Sequence, residues 1–101
     1  MNTVSIDRAC AAFLARVCAD NQAEVSLCTD LDSVRSSARM AVVAALHAQD
    51  AACHALRAAQ TEADLENARA AQASAVRARH WATLALERAR QCTISASTSL
   101  T

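Results

Sequence analysis

The chain of 101 residues contains no glycine and no proline, where average usage would place about 12 of them. Tight turns and sheets draw on these residues and helix interiors exclude them. Their absence therefore argues for helix throughout. Lysine and tyrosine are missing too, Phe13 is the only phenylalanine and Trp81 the only tryptophan. All ten basic residues are arginine, as GC-rich coding produces. Glycine and proline also have GC-rich codons, so their loss reflects selection for helix and not codon drift.

No stretch of 18 apolar residues occurs, and the N-terminal MNTVSIDRACAAFLARVCAD has no basic segment leading into an apolar run. The expectation is a chain with no signal peptide and no membrane contact, located in the cytoplasm, with export by a signal-less route left open. Five cysteines, Cys10, Cys18, Cys28, Cys53 and Cys92, make an odd number without a CxxC pair. That spacing argues against a zinc knuckle and against a complete disulfide framework, and it predicts reduced, mostly buried thiols.

Catalytic and metal chemistry find little footing. His47 and His54 are separated by about 10.5 Å along a helix, too far to share one ion, and neither belongs to an HExxH pair. Asp50 could orient His54 from one turn away, but no Ser or Cys nucleophile is placed beside them. His80 stands apart. The expectation is no enzyme activity, no cofactor and no metal site.

Three helices are predicted, at about residues 5–19, 30–59 and 62–92, forming one domain over 1–92, followed by a flexible Ser/Thr-rich tail over 93–101. The first starts after Thr3 or Ser5, presents Ile6, Cys10, Phe13 and Val17 on one face, and loses that face at Asp20 and Glu24. Thr29 or Asp30 caps the second, and Thr61, with Glu62, Asp64 and Glu66 behind it, opens the third.

Alanine recurs at alternate spacings of three and four in two places, from Ala38 through Ala41, Ala45, Ala48, Ala52 and Ala55 to Ala59, and again from Ala68 to Ala89. Each is a heptad seam that lets two backbones approach at the short end of the ~8–10 Å interaxial range. Ala59 and Ala68 are nine residues apart, about two and a half turns, so a continuous helix would throw the seam to its opposite side. A break near 60–64 removes the conflict. Folding back there pairs Ala38 with Ala82, Ala45 with Ala75 and Ala52 with Ala68 in one register. The predicted fold is all-α, an antiparallel bundle of three helices built on a close-packed alanine-seam hairpin. Leu31, Val42, Leu46, Cys53 and Leu56 form a bulkier stripe beside the second helix's seam, a seat for Ile6, Phe13 and Val17 of the first.

Met40, Val43, Trp81 and Leu84 are then surplus apolar residues, with Arg77 and Arg88 on the same side of the third helix as Trp81. Surplus apolar surface marks a partner site, and tryptophan is a frequent anchor of one. The predicted function is a non-enzymatic protein–protein interaction module of the adaptor, chaperone or inhibitor kind. It would bind another protein, itself, or both, as a homodimer or hetero-oligomer. The alternative is a small nucleic-acid-associated protein. Residues 67–101 carry a net charge of +4 from Arg69, Arg77, Arg79, Arg88 and Arg90 against Glu87, whereas residues 1–34 carry −3. Cys28 and Cys92 fall at the same open end of the hairpin and are candidates for a conditional disulfide.

Overall fold

Asparagine, aspartate and threonine mark where each helix begins. Asn2 Oδ1 accepts the Val4 N–H (3.0 Å), Asp30 Oδ2 accepts both the Ser33 N–H (3.1 Å) and the Ser33 hydroxyl (2.9 Å), and Thr61 Oγ1 accepts the Asp64 N–H (3.1 Å). Each satisfies amide donors that a helix start leaves without an intrahelical partner. The elements that follow are α1 (Thr3–Leu27), α2 (Leu31–Ala58) and α3 (Glu62–Ser99), with no strand among the described residues and with all three helix pairs in contact. This computed structural model describes the backbone of residues 2–99 and the side chains of residues 2–96. No helix among them is long and apolar enough to cross a membrane.

The two turns are made without glycine because neither needs a left-handed residue. Cys28 (φ −74°, ψ 141°) and Ala59 (φ −69°, ψ 125°) leave their helices in the extended region, and no described residue has a positive φ. The chain therefore passes from an extended C-cap almost directly into the next N-cap. At the α2–α3 turn, the Asp64 carboxylate accepts the Gln60 N–H (3.1 Å), which ties the turn to the helix it precedes.

Register is fixed by side chains that cross between helices. Asn2 Nδ2 donates to Asp64 Oδ1 (2.7 Å), Arg8 Nη1 donates to Asn67 Oδ1 (2.9 Å), and the Cys18 thiol donates to the Ala41 carbonyl (3.2 Å). Helices α1 and α3 thus run parallel, with α2 antiparallel to both. Buried positions recur every seven residues: Val4, Ala11, Cys18 and Val25 in α1, Val34, Ala41, Ala48 and Ala55 in α2, and Ala71, Ala78 and Ala85 in α3. One cluster holds Ala11, Ala48 and Ala71 and the other Val25, Val34 and Ala85. Across α2 and α3, Ala52 borders Ala75 and Ala45 borders Ala82, about two turns away from the expected pairing of Ala52 with Ala68 and Ala45 with Ala75. The remaining alanines of both predicted seams, Ala38, Ala52, Ala68, Ala75, Ala82 and Ala89, are buried as well, while Ala45 and Ala59 are partly exposed.

Only valine and cysteine exceed alanine among the largest fully buried side chains, which are Val4, Val25, Val34 and Cys18. The result is a thin rod with extents of 60 × 16 × 13 Å. Its length is that of α3, since 38 residues at ~1.5 Å each span about 57 Å.

The structure departs from the sequence reading in three further places. First, α1 runs to Leu27 instead of ending near residue 19, because its inner face is not the Ile6–Phe13–Val17 face. The buried residues are Val4, Ala11, Ala15, Cys18 and Val25, so Asp20 and Glu24 point to solvent and interrupt nothing. Second, Ile6 and Phe13 are exposed and α1 packs on the alanines, so the bulky stripe of Leu46, Cys53 and Leu56 stays outside. A third seam of small residues fits a hairpin whose own contacts are alanine; a phenylalanine there would push the backbones apart.

Third, α3 continues through the segment expected to be a tail, as far as Ser99. The Thr93 hydroxyl donates to the Ala89 carbonyl one turn back (2.9 Å), a bond that a helix accommodates, and Ala89 and Cys92 hold the segment against the end of the core. Leu100 and Thr101 lie outside the described residues.

Candidate functional site

Outer grooves run along the rod between the helices, and leucine, valine and methionine side chains line those beside α2, whereas Ile6, Phe13 and Leu27 stand outside them. Helical geometry sorts the residues. Viewed from Ala78, which is fully buried, Arg79 and Leu86 turn toward α2, whereas Trp81, Arg77, Leu84 and Arg88 turn toward α1. On α2, Met40, Val43 and His47 face α1, and Val42, Leu46 and Leu56 face α3.

The six residues expected to form one partner surface are therefore divided by α1. Met40 and Val43 are exposed and, with Leu14 and Val17 of α1, line a mostly apolar groove whose polar edge is Arg39 and His47. Trp81 and Leu84 are half-buried in the α1–α3 groove, with Trp81 packed against the alanine cluster that includes Ala11 and Ala15. The His80 ring meets Trp81 edge-on at 5.4 Å. Arg77 is exposed but donates to the buried Ser74 hydroxyl (2.9 Å). It therefore satisfies a core hydroxyl as well as lining the groove. Arg88 lines a cavity of about 730 Å³ at the end of the rod where α3 projects past the α1–α2 turn.

Cys28 and Cys92 line that same cavity, both half-buried and both free thiols. Of the other cysteines, Cys18 alone is buried, and burial raises its thiol pKa above the ordinary value. Cys10 and Cys53 are exposed, contrary to the expectation of mostly buried thiols. They lie on the outer faces that the sequence reading had turned inward.

The titratable groups are spread along the surface. His54 pairs through Nδ1 with Asp7 Oδ2 of α1 (2.5 Å), not with Asp50 on its own helix. Asp64 is largely buried at the closed end. Its carboxyl is held below the usual range by the hydrogen bond from Asn2 and then by the Gln60 N–H. Asp30 is lowered by its bonds from Ser33, the hydroxyl first and the N–H second. No group of three or more His, Cys, Asp or Glu among the described residues is arranged to hold a metal ion. The arginines of α3 are likewise divided, Arg77 and Arg88 toward α1 and Arg79 toward α2, so they do not converge on one phosphate-binding stripe.

The sequence reading missed the α2–α3 groove, which is lined by Leu46, Leu56, Val76 and Leu86. The signal was present in the stripe recognised on α2. The stripe stays open because α1 packs on the alanines and leaves the bulkiest face of α2 uncovered. No family model, curated protein or solved structure matches the chain.

Proposed function

We propose that the chain is a non-enzymatic protein–protein interaction module, of the adaptor, chaperone or inhibitor kind, which receives helices of another protein in the grooves between its own. The observation that supports this is the inverted distribution of side-chain size. Alanine fills the interior, while Phe13, Met40, Val43, Leu46, Val76 and Leu86 are each about half exposed or more. Fully burying a side chain of that size contributes about 1.5–3 kcal/mol, a gain the isolated chain leaves largely unrealised. Monomers seldom expose contiguous apolar strips without a partner to cover them.

A photo-crosslinking amino acid placed in the cells that make the protein tests this reading. Introduced at Met40, Leu46 or Leu84, all in grooves, it is expected to capture a small, reproducible set of proteins. At Arg57 or Glu66, both exposed and polar, it should capture few. Equal labelling from groove and polar positions would contradict the reading. Capture of nucleic acid from positions 77, 79, 88 and 90, lost at moderate salt, would favour the nucleic-acid alternative.

A further inference from the structure

The α2–α3 groove carries a single charged residue between two hollows. Two hollows follow one another along it, one bordered by Leu56 and Val76, the other by Leu46 and Leu86, and both are bordered by Gln49 and Arg79. From Val42 to Leu56 the apolar lining extends for about 21 Å, four helical turns. Arg79 sits at its middle. It is the only charged residue lining either hollow, no carboxylate lines them, and among the described residues its guanidinium has no partner. Its backbone carbonyl accepts the Thr83 hydroxyl (2.9 Å), which leaves the side chain uncommitted.

We propose that this groove docks an amphipathic helix of a partner protein, one that carries a carboxylate midway along its apolar face to pair with Arg79. Leucine-sized residues one turn or more to either side of that carboxylate would fill the two hollows, following the spacing of helix-in-groove recognition. A guanidinium flanked by apolar walls favours a planar carboxylate, which it can bind through two parallel hydrogen bonds. A second copy of this chain is a poorer occupant. A two-fold axis through the centre of the groove would bring Arg79 toward its own counterpart, and juxtaposed like charges oppose association. The proposal rests on the helix-receiving function above and adds the groove, the charge and the length of the ligand.

The test uses the full chain and two fluorescent synthetic helices of about sixteen residues, long enough to span the groove. They share leucines at helical spacing and differ only in a central Glu or Lys. Anisotropy titrations are expected to show the Glu peptide binding at least about tenfold more tightly. Arg79→Glu should reverse that preference, and Leu46→Asp should abolish binding of both. Circular dichroism of each variant confirms that the helices persist, as surface positions allow. Equal affinity for the two peptides, or a preference unchanged in Arg79→Glu, would overturn the proposal. So would a dimeric mass in solution that Leu46→Asp converts to monomer, since the groove would then belong to a second copy. Peptide binding that is lost on Met40→Asp but retained on Leu46→Asp would refute this groove alone. If neither peptide binds at any groove, the helix-receiving function fails with it.

Discussion

Ala48 and Leu46 stand two residues apart on α2, and the smaller is fully buried while the larger is 58% exposed. The contrast repeats along the rod. The interior is alanine closed by valine at the ends, and the grooves carry leucine, valine and methionine. An alanine contributes little transfer free energy on burial, of the order of one methylene at ~0.8 kcal/mol. The interior must therefore gain from number and closeness. Short side chains bring the backbones together, high helix propensity lowers the cost of ordering each residue, and polar side chains pin the closed end. Bulk is placed where it serves a different surface.

The sharpest way to break the contrast is to put bulk inside. Ala78→Leu is expected to cost about 3 kcal/mol in urea unfolding, because three helices meet at a fully buried position with no room for the added atoms. Trp81→Ala should cost about 2 kcal/mol, less than the ~3–5 kcal/mol of a fully buried aromatic, because the ring is only partly packed against the core. Thermal melts that leave Trp81→Ala as stable as the parent would place the indole outside the fold's energetics. At the closed end, Thr61→Ala removes the cap of α3 and should cost about 1 kcal/mol.

The same end gives a pH dependence. The folded chain holds Asp64 below its ordinary pKa of 3.8, so in that range the unfolded chain binds more protons than the folded one. Stability from this group is fully present above the ordinary value and is lost as pH falls through the lowered one. Denaturant midpoints measured from pH 6 downward should fall at the acid end. Asn2→Ala, which removes the largest cause of the shift, should flatten that fall. The smallest expected effect is outside: Leu86→Ala should change stability by less than about 0.5 kcal/mol, the range typical of surface positions.

Much of this architecture is legible in the residues themselves. The two alanine seams, the break between them and the caps at Asp30 and Thr61 all follow from spacing and side-chain chemistry, whereas the pairing of the seams does not: Ala41 and Ala78 belong to different clusters, and Ala45 borders Ala82 in place of the Ala75 that spacing predicts. The inner face of α1 does not follow from ordinary apolar periodicity, because Ile6, Phe13 and Val17 form the stronger stripe. Its signal is weaker and of another kind: Val4, Ala11, Cys18 and Val25 recur every seven residues, as do buried positions of the other two helices. Once two helices meet through alanine, a third can share their interior only with small residues of its own. The surface was partly legible for the same reason. Spacing marks Met40 and Val43 as surplus, but it places Leu46 and Leu56 in a core that alanine already closes. Asp7 as the partner of His54 could not be read without the position of α1.

The central claim is that small residues inside and large ones outside are a condition of the fold. It is tested most directly by exchanging the two within one helix, in the double variant Leu46→Ala/Ala48→Leu. Composition and net charge are unchanged, so the unfolded chains are closely matched. A loss of about 3 kcal/mol in the free energy of unfolding is expected from overpacking at Ala48, which is fully buried in the cluster that also holds Ala11 and Ala71. Unchanged or increased stability would contradict the claim, since it would mean that the interior has room for leucine and that alanine is incidental.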